Sequence, residues 1–257
     1  MKRILFIGGF NTDIEEHRLN FYFAFENFFK MVEDTYTVEF FTYNTRQNLN
    51  TVYERLSNSL EHNKYDIILA HSMGCCLFTK WLHEQDTIET METIETKQIN
   101  TNKSHNKQTK IVLMMPFICK TFNLQMLSYV PCIQYMLMPK CIVIPNNTLF
   151  EEGNCLNDRI IPTLLKQVYQ TVVEDFMLPT DLLVETLNKF DNIDIIYATN
   201  ELVSPIPDAV LKQINNVYMV DGMHMAFMDV KNSSRFFTQL KQLISNKHTN
   251  IRIQHTI

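Results

Sequence analysis

Apolar residues gather in six short runs that are continuous rather than alternating: Arg3 to Ile7, Thr37 to Tyr43, Asp66 to Ala70, Lys110 to Met115, Asp194 to Ala198 and Val217 to Val220. Continuous apolar or β-branched runs of this length suit strands buried on both faces. Between them the apolar spacing becomes helical, about His17 to Met31, Leu49 to His62, Met73 to Glu84, Asp208 to Ile214 and Ala226 to Ser245. Strands alternating with helices predict a mostly parallel sheet covered by helices on both faces.

Two segments interrupt the rhythm. Asp86 to Thr109 repeats Thr-Ile-Glu-Thr beside a polar tract, Asn100 to Lys107, with no core-facing period. It reads as a flexible surface insertion. Phe117 to Phe190 carries Pro131, Pro139, Pro145, Pro162 and Pro179 among many Met, Phe, Leu and Ile residues. It reads as a largely helical cap, inserted before the strand that starts near Asp194. The expected core is then residues 1–116 and 191–257, with the cap at 117–190.

The strongest chemical signal is Ala70-His71-Ser72-Met73-Gly74, between a buried strand and an amphipathic helix. A serine on such a strand–turn–helix junction is a candidate nucleophile. The turn needs small residues two places either side, here Ala70 and Gly74. A helix N-cap serine after an ordinary strand is the competing reading.

Only five glycines occur, and Gly8, Gly9, Gly74 and Gly222 fall at the ends of expected strands. In open parallel sheets those carboxyl ends build the binding crevice. Gly8-Gly9-Phe10 is the natural source of an oxyanion hole, with the Phe10 and Met73 backbone N–H groups as donors. Neither phosphate-loop glycine pattern is present.

A base is expected at His224, which follows the Asp221-Gly222 turn after the last strand. The other seven histidines sit on expected helices, in the insertion, in the tail or beside Ser72. Glu201, after the strand ending at Ala198, is the best-placed acid to orient that histidine. Asp208 and Asp221 are weaker candidates, the first starting a helix and the second too near His224 in sequence.

The order Ser72, Glu201, His224 resembles that of the α/β-hydrolase superfamily. Ala-His-Ser-Met-Gly is similar to the turn of its lipase-like and esterase-like members, and Asp-Gly-Met-His to its histidine loop. Ala198-Thr-Asn-Glu-Leu-Val-Ser-Pro205 is similar to its acid loop, with Glu201 where Asp is commoner. Ala70 in place of the first elbow glycine, and Gly8 where many members carry His, depart from the pattern. The resemblance implies the α/β-hydrolase fold and a Ser-His-Glu triad.

Composition narrows the reading further. Hydrophobic residues are 46% and charged residues 20% of 257, as in a folded globular chain. A net charge of −5 and the lack of a basic run disfavour nucleic acid as partner. The N-terminal apolar run is too short for a signal peptide, and Met126 to Pro145 is too interrupted to span a bilayer. Six cysteines without a C-x-x-C pair or metal-ligand spacing read as reduced thiols, hence a cytoplasmic protein with no metal. The expected activity is hydrolysis of a small-molecule carboxylic ester or thioester, with no cofactor and an apolar acyl or alcohol group. Two alternatives stay open: a non-catalytic binding protein on the same scaffold, and a protein held at a membrane surface, possible substrate lipid included, through Leu127 to Ile144. Oligomeric state is not legible.

Overall fold

The structure is a computed structural model that describes residues 1–9, 23–43, 48–96, 109–119, 171–201, 204–228 and 232–245. Within them, six strands form one sheet: β1 (Lys2–Ile7), β2 (Tyr36–Phe41), β3 (Ile67–His71), β4 (Lys110–Met114), β5 (Ile193–Ala198) and β6 (Val217–Val220). The order is β2-β1-β3-β4-β5-β6, and every pairing is parallel. All six apolar runs become strands, within a residue or two of their expected bounds.

Side-chain alternation divides the core into two layers. Leu5, Ile7, Ile68, Ala70 and Leu113 face α2 (Leu49–His62) and α3 (Met73–Thr96), meeting Val52, Leu56, Leu77 and Phe78. Ile4, Phe6, Leu69, Val112 and Met114 face the opposite way, toward α1 (Phe23–Lys30) and a C-terminal helix, Ser233–Ser245. There Phe25 packs against Phe6 and Phe227, both with centroids 4.9 Å away, and against Phe236 at 5.9 Å. The inner strands β1, β3, β4 and β5 are buried almost throughout, as in a sheet covered on both sides, whereas the edge strands keep exposed positions at Thr37, Glu39 and Met219.

The chain leaves β1 for the β2 edge and then crosses back to β3. The strand order therefore reverses between β1 and β3, whose ends lie in register at Ile7 and Ala70. Loops leaving two such strands diverge to opposite faces and open a crevice between them. Gly8 and Ser72 stand at that place.

Three expectations need correction. Helix α3 continues to Thr96, into the segment read as a flexible insertion from Asp86; residues 97–108 lie outside the described set. Apolar periodicity reports burial rather than helicity, and Glu and Met favour helix without it. Asp86 is also held by an ion pair to Lys189. Second, the end of the supposed cap belongs to the layer covering the sheet. A π-helical turn, Val172–Phe176, and α4 (Thr180–Lys189) bury Val172, Phe176, Leu183 and Leu187 in the cluster that holds Phe78 and Trp81. Residues 120–170, with most of the expected cap and Leu127 to Ile144, lie outside the described set. Third, Ala226 to Ser245 is a short 3-10 turn, Ala226–Met228, and then a separate helix. Asn232, Ser233 and Ser234 favour a new helix start over continuation. The helix α5 (Asp208–Leu211) is shorter than expected, and the last described helix, Ser233–Ser245, is α6.

At the amino ends of the strands, Lys110 Nζ lies 2.5 Å from Asp194 Oδ2, and the carboxylate is almost fully buried. Removing one member of such a pair strands a charge, at about 3–5 kcal/mol. Lys110→Met is expected to lower stability by that order in urea unfolding. The double variant Lys110→Met/Asp194→Leu should recover most of it.

Candidate active site

Strand β3 ends at His71 and α3 begins at Met73, leaving Ser72 as the hinge with φ of 52°. A non-glycine residue in the left-handed region costs about 1–3 kcal/mol and persists only where its surroundings hold it. Here the Ser72 N–H donates to the Met114 carbonyl at 3.0 Å. Its own carbonyl accepts from the Phe117 N–H at 3.1 Å and the Cys75 N–H at 3.0 Å. Gly74 is equally constrained, since a Cβ there would lie 2.4 Å from the Gly8 oxygen and 2.8 Å from that of Ile7. Ala70, two residues before the serine, is fully buried.

On the far side of the sheet, β6 runs into Asp221-Gly222, where Gly222 has φ of +128°. This turn aims His224 back over the strand ends. Its Nε2 lies 2.8 Å from Ser72 Oγ and its Nδ1 lies 2.9 Å from Glu201 Oε2. Ser72, His224 and Glu201 are each buried. With Nδ1–H donating to the carboxylate, Nε2 is left to accept the serine proton. Glu201 Oε1 also accepts from the Ser204 N–H at 3.1 Å. The acid and histidine turns are bonded directly, Thr199 N–H to Val220 O and Asn200 N–H to Gly222 O, both at 2.9 Å.

The other sequence candidates fall as follows. Asp221 points outward and pairs with Arg235 at 2.5 Å, and Asp208 starts α5. Met73 occupies the first position of α3, where a helix N–H has no partner within the helix. Gly8 and Gly9 are buried beside the elbow, and the Gly8 carbonyl accepts from Tyr43 Oη–H at 2.9 Å. Phe10 lies outside the described residues. Cys75 and Cys76 follow Ser72 closely in sequence and are fully enclosed. Burial pushes both thiols up, away from the reactive thiolate.

Two neighbours escaped the sequence reading. The ring of His71 lies 5.2 Å from that of His224 and meets Phe227 edge-on at 5.1 Å. Burial, then repulsion by His224, holds its imidazole well below the usual histidine range, against a bond to the His224 backbone. Ser204 is fully buried, its hydroxyl donating to the Pro116 carbonyl at 3.2 Å. Nothing in a single sequence marks either, because both act through tertiary neighbours. Among the described residues, no group of three or more His, Cys, Asp or Glu side chains could hold a metal ion. No described helix is long and apolar enough to cross a membrane.

No family model and no curated protein matches the chain. Solved structures do. An α/β hydrolase enzyme from a Medee basin deep-sea metagenome library superposes with a TM-score of 0.59 at 12% identity, over 98% of this chain and 92% of that one. A serine hydrolase involved in carbazole degradation gives 0.56 at 11%, over 95% and 91%. A monoacylglycerol lipase of Paleococcus ferrophilus gives 0.51 at 9%, over 95% and 94%. At these identities the likeness is one of fold, and the fold of this chain is that of the α/β-hydrolases.

Gly74→Ala is expected to cost about 1–3 kcal/mol or more, since backbone oxygens rather than a flexible side chain block the methyl group. Melting temperature measures it. His71 makes stability depend on pH. Below about pH 6.5 the unfolded chain takes up a proton here that the folded chain excludes. Its contribution is present above that pH and is lost on acidification. His71→Phe should flatten the fall in urea midpoint between neutral and mildly acidic pH.

Proposed function

We propose that the chain is a serine hydrolase of carboxylic esters or thioesters, with Ser72 as nucleophile, His224 as general base and Glu201 as the orienting acid. The hydrogen-bonded series Glu201–His224–Ser72 at the carboxyl ends of the sheet carries this reading. Its burial supports it too, because the attraction between an imidazolium at His224 and the Glu201 carboxylate is stronger where water is excluded.

In this mechanism Ser72 Oγ attacks the acyl carbon as its proton passes to His224 Nε2. The imidazolium is stabilised by the Glu201 carboxylate at Nδ1. Backbone N–H groups of Met73 and Phe10 hold the oxyanion. The tetrahedral intermediate collapses as His224 returns the proton to the leaving alkoxide or thiolate. Water, deprotonated by His224, then attacks the acyl-enzyme and regenerates Ser72. None of these steps needs a cofactor or a metal. The Met- and Phe-rich composition from Phe117 onward supports an apolar acyl or alcohol group, and Cys75, Cys76 and Cys119 as free thiols suit a reducing cytoplasm.

The test is labelling by a fluorophosphonate probe together with p-nitrophenyl ester and thioester series of increasing acyl length. Ser72→Ala should abolish labelling and lower hydrolysis roughly 10⁴-fold with the fold intact. Glu201→Gln should lower kcat strongly while Ser72 still labels slowly, and Asp208→Asn and Asp221→Asn should cost far less. A folded wild-type chain that neither labels nor hydrolyses would leave a binding protein on this scaffold. A crippled Asp208→Asn beside a mild Glu201→Gln would move the acid.

A further inference from the structure

The peptide unit between Pro116 and Phe117 does two things at once. Its N–H donates to the Ser72 carbonyl at 3.1 Å, and its carbonyl accepts from Ser204 Oγ–H at 3.2 Å. In a planar peptide these two groups point in opposite directions, so one rigid unit bridges the nucleophile's backbone and the acid's loop. The unit is itself fixed. Pro116 restricts its own φ, and Met115 before it sits at φ of 42° with its N–H bonded to Ile196 O at 2.8 Å.

From Ser204 the path returns to the start. The Ser204 N–H donates to Glu201 Oε1 at 3.1 Å, and Glu201 Oε2 accepts from His224 Nδ1 at 2.9 Å. His224 Nε2 meets Ser72 Oγ at 2.8 Å. Five hydrogen bonds and one peptide thus close a loop through Ser72, His224, Glu201 and Ser204. Ser204 is the member that touches no reacting atom, and it is fully buried. Its two donors serve different partners: the N–H fixes the carboxylate, and the hydroxyl fixes the loop to the nucleophile's frame.

Resting on the serine-hydrolase reading above, we propose that Ser204 is a positioning residue, which acts on the reaction by holding the Glu201 carboxylate in register with His224. Without the hydroxyl the acid loop loses its tie to Pro116, and Glu201 gains freedom to turn from Nδ1. Nothing in this role reaches the substrate. The effect therefore falls on kcat and leaves KM nearly unchanged.

The experiment is a double-mutant cycle on the full-length chain, read by p-nitrophenyl ester kinetics and by the rate of fluorophosphonate labelling. Ser204→Ala should lower kcat roughly ten-fold, as expected for misplacement of a group by a fraction of an ångström. In a Glu201→Gln background the same change should cost less than about two-fold, because the group it positions is already disabled. Ser204→Cys, which keeps the volume with a weak donor, should follow Ser204→Ala and serves if the alanine variant does not fold. An equal factor in both backgrounds overturns the proposal, as does an unchanged kcat. A second readout needs no substrate: the low-field proton resonance of the bond between His224 Nδ1 and Glu201. It should broaden or move upfield in Ser204→Ala, and an unmoved resonance overturns the positioning role. A wild-type chain without labelling or hydrolysis defeats the serine-hydrolase reading instead, a failure distinct from additive effects in an active enzyme.

Discussion

The carbonyl of Gly8 stands so close to Gly74 that a methyl group on the latter would lie 2.4 Å from the oxygen. That approach ties the end of β1 to the first turn of α3, and the geometry around Ser72 follows from it. Tyr43 fixes the same carbonyl from the other side, through a buried 2.9 Å hydrogen bond. With β1 anchored this way, the left-handed backbone at Ser72 has nowhere to relax. Its N–H and C=O are meanwhile engaged by Met114, Phe117 and Cys75. The strain at one residue is sustained by three strands and a helix, as expected where a side chain must be lifted out of a sheet.

Polar groups are buried at both ends of this sheet, under different rules. At the amino ends, the Asp194 carboxylate is almost fully buried and paired with Lys110. At the carboxyl ends, Ser72, His224, Glu201 and Ser204 share bonds in series, and each is nearly or wholly enclosed. A buried carboxylate is tolerable there because both of its oxygens have donors. A series of this kind also resists partial disruption, since moving one member strands the next. The backbone bonds between the acid and histidine turns add a second tie that does not depend on side chains.

Much of this was legible in the sequence, for identifiable reasons. Continuous apolar runs marked the inner strands β1, β3, β4 and β5 because parallel strands buried on both faces leave few positions for anything else; the edge strands β2 and β6 are partly exposed. Scarce glycines marked the turns, and Gly74 and Gly222 indeed occupy positions closed to a side chain by space or by φ. Ser72, Glu201 and His224 were each singled out by their place at a strand end, and the structure brings their side chains together. What escaped was the extent of α3, whose continuation to Thr96 has no apolar period to announce it, and the entry of α4 into the core layer. His71 and Ser204 escaped for another reason. One sits on a strand that looks uniformly buried and the other in a loop rich in turn residues. Only contacts between segments far apart in the chain distinguish them from filler.

The use of glutamate at position 201 follows from the same geometry. Asn200 is held to the Gly222 carbonyl, so the backbone leaves β5 bound to the histidine turn before the acid side chain begins. From there the extra methylene carries the carboxylate to His224 Nδ1 at 2.9 Å. It also adds a rotatable bond, and with it a larger loss of freedom when the carboxylate is fixed. Aspartate would have less to restrain. A longer acid in this position therefore leans more heavily on whatever holds its second oxygen, which here includes a backbone N–H on a loop fastened to the peptide that also grips the serine. The length of the acid and the tethering of its loop are two parts of one solution, and a change in either alters what the other must supply.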